Sequence, residues 1–149
     1  MTIVGVDPAY GKPTATSVWN GVRYEHFLLE EVYDFTTLSQ RLDDILPEGP
    51  ITLILEGQEV YKGSPVKPAL LIELANRTGF LEAAFCSVRS TECHRYLPKV
   101  WKGQVPPRVM MARIEKTHGL LPGTKQQRED LAHSLGLVEF FKKKMKKKA

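Results

Sequence analysis

Two short apolar runs in this chain each end on a carboxylate. Residues 2–6 (TIVGV) close on Asp7, and residues 51–55 (ITLIL) close on Glu56. Runs of this length, rich in β-branched residues, read as buried strands. If the two strands are neighbours, both acids project from one edge of the sheet, the usual place for a site in open α/β sheets. A third acid, Asp130, falls in the first turns of a helix, with His133 three residues on and therefore on the same helical face. That face borders the apolar stripe Leu131, Leu135 and Val138. Gathering three carboxylates costs several kcal/mol, on the order of a buried charge repulsion, unless cations neutralise them. Oxygen donors with one imidazole suit Mg²⁺ or Mn²⁺. Two such ions about 4 Å apart serve phosphodiester hydrolysis. Asp7, Glu56, Asp130 and His133 are thus the candidate catalytic and metal-binding set. Each has a plainer reading alone: a loop start before Pro8, decoration of a helix dipole, or a partly buried histidine. The combination carries the inference, whereas Glu59 and Glu129 read as solvated charges.

The elements that must position this set follow from pattern. After the first strand comes a loop with Pro8, Gly11 and Pro13. Residues 14–19 then read as a second strand, and Asn20-Gly21 is a strong hairpin signal that returns residues 22–29 antiparallel. Leu38, Leu42, Ile45 and Leu46 mark a helix over 36–46, ended by Pro47, Gly49 and Pro50. A Gly- and Pro-containing loop over 57–68 separates Glu56 from a long helix, 69–85, with the stripe Leu71, Leu74, Thr78, Leu81 and Phe85. Residues 84–91 are expected to form the fifth strand. Pro106-Pro107 suits a helix start near 107, running to about Gly119. Thr124 with Gln127 fits a capping box that opens the last helix. The order β-β-β-α-β-α-β-α-α implies a mixed α/β sheet, a three-stranded antiparallel meander plus parallel strands, covered by helices.

The chain has 149 residues, enough for one core and too few for two ordinary domains. Six lysines stand among residues 142–149; without them the formal charge of +4 becomes −2. The body, residues 1–141, is slightly acidic, and 142–149 reads as a flexible basic tail that adds sequence-blind affinity for nucleic acid. Cys86 and Cys93 are too few for a disulfide framework and fit a reducing compartment. No CxxC pair or helical histidine pair points to zinc. No run approaches the roughly 20 apolar residues of a membrane span, so a soluble protein is expected.

The opening IVGVDPAYGKPTATSVWNG resembles the first strand and hairpin of RuvC-type Holliday junction resolvases, of the RNase H-like superfamily. LILEGQ and the later ALLIELANRTGFLEAA are similar to that family's Glu-bearing strand and following helix. REDLAHSLGLVEFF resembles its acidic helix, in which an Asp is followed three residues later by Asp or, in some members, His. The resemblance spans nearly the whole chain. It implies an RNase H-like fold and makes Asp7, Glu56, Asp130 and His133 the metal-binding catalytic residues. It also implies a crossover junction endodeoxyribonuclease that makes paired symmetric nicks in four-way DNA, with two Mg²⁺ or Mn²⁺ ions per active site, acting as a homodimer. Ala9 replaces the usual glycine after Asp-Pro, and His133 replaces a common Asp, leaving the site less anionic. The short length and lysine tail look like phage-borne members, so the expected location is the cytoplasm of a bacterium or phage-infected host.

Backbone recognition needs cations around an acidic centre. Lys62 and Lys67 follow Glu56, and Tyr61 beside them is a candidate to stack on a base of an opened junction. Lys99 and Lys102, with Arg108 and Arg113 beyond them, form a second basic patch, in which Lys102 is the candidate for a lysine that assists phosphate chemistry in the resembled family. Helix 69–85 is the candidate dimer face. Two other readings stand beside the resolvase: a ribonuclease H-like or ribosomal-RNA-processing nuclease on the same fold, and a catalytically silent junction-binding protein.

Overall fold

The computed structural model describes residues 1–31, 33–58 and 66–148. Strand β1 (Thr2–Asp7) lies at the centre of a five-stranded sheet. It pairs antiparallel with β2 (Thr14–Trp19), which pairs antiparallel with β3 (Tyr24–Leu29). On its other side β1 runs parallel with β4 (Ile51–Glu56), and β4 parallel with β5 (Thr91–Tyr96). The helices are α1 (Phe35–Ile45), α2 (Pro68–Val88), α3 (Pro98–Trp101), α4 (Pro107–His118) and α5 (Lys125–Lys148). This is the mixed, helix-flanked sheet that the sequence implies.

Side chains alternate across a strand, and that alternation assigns each residue to a face. Val4, Val6, Leu53 and Leu55 pack with Leu38 and Leu42 of α1 and with Leu81 and Phe85 of α2. Ile3 and Ile54 face the other way, onto Leu137, Val138 and Phe141 of α5. Gly5 shares this second face. A Cβ there would stand 2.1 Å from the Ser134 carbonyl oxygen, so the missing side chain is what lets α5 lie directly on β1. Ser17 and Ser134 share a 2.7 Å hydrogen bond that ties β2 to the same turn of α5.

The capping box forms in both directions: Thr124 N–H donates to Gln127 Oε1 (2.9 Å), and Gln127 N–H donates to Thr124 Oγ1 (3.3 Å). Two expectations change. Residues 84–88 belong to α2, because Ala84 and Phe85 continue the buried stripe of Leu81. The fifth strand is Thr91–Tyr96, displaced from the expected 84–91. As an edge strand it pairs on one side only and carries polar and charged residues, so it lacks an apolar run. At the other end, α5 continues through Lys148, and the boundary expected at residue 141 has no counterpart in the secondary structure. Lysine is a good helix former, and cations at a helix C-terminus complement its dipole. Lys142 also lies 3.8 Å from the Trp19 ring centroid, and Lys144 lies 5.0 Å from that of Tyr96.

Candidate active site

The parallel register aligns Val6 with Leu55, so Asp7 and Glu56 come next, side by side at the carboxyl ends of adjacent strands. Each lies two residues beyond a position facing α5, Gly5 and Ile54 respectively. Both carboxylates therefore emerge on the α5 side of the sheet. The close seat of α5 over Gly5 brings His133 to meet them, with its Nδ1 3.6 Å from Asp7 Oδ2. Asp130 sits one turn earlier on α5; it and His133 are buried, 8% and 9% exposed.

Burial raises the Glu56 carboxyl above the ordinary 4.5, and the neighbouring Asp7 charge raises it further; Lys102 and His133 pull it back. Cations and donors already hold these acids. Lys102 Nζ lies 3.2 Å from Glu56 Oε2, and the Trp101 indole N–H donates to the same oxygen at 3.0 Å. Lys12, from the β1–β2 loop, lies 3.0 Å from Asp130 Oδ1, and Gln126 donates to that atom at 3.0 Å. Gln58 braces the exit from β4, donating to the Glu56 carbonyl oxygen and accepting from Thr78 of α2.

Asp7, Glu56 and His133 thus form one acidic corner, with Asp130 beside it on α5. Among the described residues, no three acidic, histidine or cysteine side chains already converge as ligands of one ion. The amines of Lys12 and Lys102 each hold one carboxylate oxygen of this set, Asp130 Oδ1 and Glu56 Oε2. The donor set nevertheless fits a hard cation: carboxylate oxygens in a low-dielectric corner, with one imidazole. His133 Nε2 is buried and bonds to no described residue, a state that costs about 1–3 kcal/mol when nothing satisfies it.

A cleft of about 830 Å³ opens beside Glu56, lined also by Pro8, Leu71, Leu74 and Lys99. Of the four candidate catalytic residues, Glu56 alone lines it. Lys99 lines the same cleft as Glu56, and Lys102 contacts Glu56 directly. Lys67 precedes α2 and Arg108 lies in the first turn of α4; both are exposed, and neither bonds to the acidic set. Tyr61 and Lys62 lie outside the described residues. The sequence reading missed Lys12, Gln126 and Trp101. A signal existed for Trp101: a buried indole N–H needs an acceptor. Gly136 in the middle of α5, a position where glycine costs about 1 kcal/mol against alanine, marked a close approach.

No family model matches the chain, and no curated protein matches it in sequence. Solved structures do match in three dimensions. Thermus thermophilus RuvC in complex with a Holliday junction substrate superposes with a TM-score of 0.60 at 15% identity, covering 96% of this chain and 95% of that one. A second Thermus thermophilus RuvC structure gives 0.58 at 16%, covering 96% of both chains. The yeast mitochondrial Holliday junction resolvase gives 0.52 at 12%, covering 93% of this chain and 76% of that one. Over the 96% of this chain that superposes, the fold is the RNase H-like fold of RuvC.

Proposed function

We propose that this chain is a structure-selective endonuclease that resolves four-way DNA junctions by metal-dependent phosphodiester hydrolysis. One observation carries the reading: on a RuvC fold, Asp7 and Glu56 stand at adjacent strand ends with His133 3.6 Å from Asp7. The similar Thermus thermophilus structure holds a Holliday junction, which supports branched DNA as the substrate here. Asp7, Glu56, Asp130 and His133 are the residues that would hold Mg²⁺ or Mn²⁺, two ions per site in this reading. The cations would supply the positive charge that counters the phosphoryl transition state.

The chain's own residues do the remaining work. In hydrolysis, water adds to phosphorus and the bond to the 3′ oxygen breaks, giving a 3′-hydroxyl and a 5′-phosphate. Lys102 and Lys12, now bound to carboxylates, are flexible cations within reach of a docked phosphate, and Lys99 at the cleft rim adds a third. The apolar cleft beside Glu56 suits an unstacked base more than a charged backbone. Paired nicks require two sites, and α2 is the candidate dimer element in this reading: it exposes Leu70 and Ile72, by 40% and 60%, on either side of buried Leu71.

A substrate panel tests the proposal. The purified protein is offered a synthetic four-way junction, a linear duplex and an RNA–DNA hybrid, with Mg²⁺, Mn²⁺ or EDTA. Symmetric, metal-dependent nicks in the junction alone are expected. Preferential cutting of the hybrid would replace the reading with a ribonuclease, and tight junction binding without cutting in either metal would replace it with a silent binding protein.

A further inference from the structure

We propose that Trp101 is a positioning residue for Glu56: its indole N–H, with Lys102, takes one carboxylate oxygen and leaves the other as the oxygen offered to a divalent cation. The inference rests on the metal-site reading above and specifies how one ligand is held. Both donors converge on Oε2, at 3.0 Å from the indole and 3.2 Å from the ammonium, and among the described residues none bonds to Oε1. The two donors differ in kind. Lys102 brings charge, which competes with a cation for the carboxylate, and its stem is flexible. The indole is a neutral donor that never accepts, so it orients the carboxylate without cancelling its charge.

Trp101 is itself held on several sides. It is 9% exposed and packs in the apolar layer of Ile54, Tyr96 and Leu137. Its ring stands edge-on to His133, centroids 6.0 Å apart at 85°, so one side chain borders two of the candidate ligands. Its far edge lies where a Cβ on Gly136 would approach to 2.8 Å, so α5 is cut away at that point to admit the indole. A helix-interior glycine and a buried tryptophan thus form one fitted contact, whose polar end terminates on Glu56.

The test replaces Trp101 with 3-benzothienylalanine, which keeps the bicyclic shape and puts sulfur where the N–H was. Mn²⁺ binding to the full chain without DNA is followed by calorimetry, and kcat and KM are measured on a four-way junction. The Mn²⁺ Kd is expected to rise about tenfold, equivalent to about 1.4 kcal/mol. Over the same substitution kcat should fall at least as far, while KM for the junction stays within about twofold. Gly136→Ala, which displaces the indole while keeping its N–H group chemically intact, should move the Mn²⁺ Kd in the same direction. A benzothienyl variant with Mn²⁺ affinity and kcat within about twofold of the parent would overturn the role of Trp101. A parent chain that binds no Mn²⁺ would overturn the metal site and this role together. Weakened Mn²⁺ binding in a protein that cuts no junction would uphold the role and discard the junction substrate.

Discussion

Against one face of the sheet, α1 and α2 lay a mainly apolar layer, with buried Thr16 and Thr78 among it: Val4, Val6, Leu53 and Leu55 meet Leu38, Leu42, Leu81 and Phe85. Against the other face, α5 approaches so closely that Gly5 has no room for a side chain, and a serine pair hydrogen-bonds across the gap. The same strands serve both faces, and alternation alone sends Asp7 and Glu56 to the second. The first face is fixed by volume and area, and such packing tolerates rearrangement. The second is fixed by backbone contact and directional bonds, which hold atoms to narrow positions. Chemistry that depends on ångström placement is better served there.

Substitutions should separate the two faces. The largest effect is expected at the acidic corner. Asp7→Asn should lower the junction cleavage rate by about 10³-fold or more with junction binding retained, measured by single-turnover cleavage and gel shift. On the opposite face, Phe85→Ala should cost about 3–5 kcal/mol of unfolding free energy in denaturant titration, yet leave kcat unchanged below the melting range. A drop in kcat in that folded variant would erase the distinction between the faces. Gly5→Ala joins the two kinds of effect. Its Cβ must push α5 outward, costing about 1–3 kcal/mol and moving His133 away from Asp7, so both stability and cleavage should fall.

Glu56 gives a smaller, pH-dependent effect. Its carboxyl is raised in the folded chain by burial and by Asp7. By linkage, a raised carboxyl contributes stability below the ordinary 4.5 and loses it as pH rises through its folded value. Asp34, Glu82, Glu115 and Glu139 are lowered and act in the opposite sense, so the Glu56 contribution is read as a difference: the metal-free parent should lose Tm relative to Glu56→Gln as pH rises through that window. Saturating Mn²⁺, at about 100 times Kd, should restore roughly 5–10 °C, with a gain that grows with pH. A gain that is flat with pH would detach the carboxylate from the metal. The smallest effect is expected at the lysine end of α5. Neutralising the exposed Lys143, Lys146 and Lys147 should weaken binding to junction and duplex alike, lowering the salt slope by about 0.9 for each phosphate that is no longer neutralised. A defect confined to junction binding would give that helix end a role in reading shape.

Much of this geometry was legible in the chain. Two apolar runs ending on Asp7 and Glu56, and an Asp-His pair behind a capping box, mark the corner, because strand ends and helix faces follow from local periodicity. The parts that were not legible depend on tertiary contact. Lys12 reaches Asp130 across 118 residues of sequence and Trp101 reaches Glu56 across 45, and no local pattern encodes either pairing. The fifth strand was displaced because an edge strand with sequence TECHRY has no apolar run to mark it. The terminal lysines read as a tail because composition registers charge and not the helix already begun at Lys125.

The central claim is that Asp7, Glu56, Asp130 and His133 hold divalent ions in common. Crystals soaked in Mn²⁺ and measured at the manganese absorption edge test it directly. Anomalous peaks are expected between β1, β4 and α5, with oxygens of Asp7 and Glu56 about 2.1 Å from a shared ion and Lys12 or Lys102 displaced from its carboxylate. A fully occupied peak elsewhere, or no peak while both lysines keep their carboxylates, would contradict it.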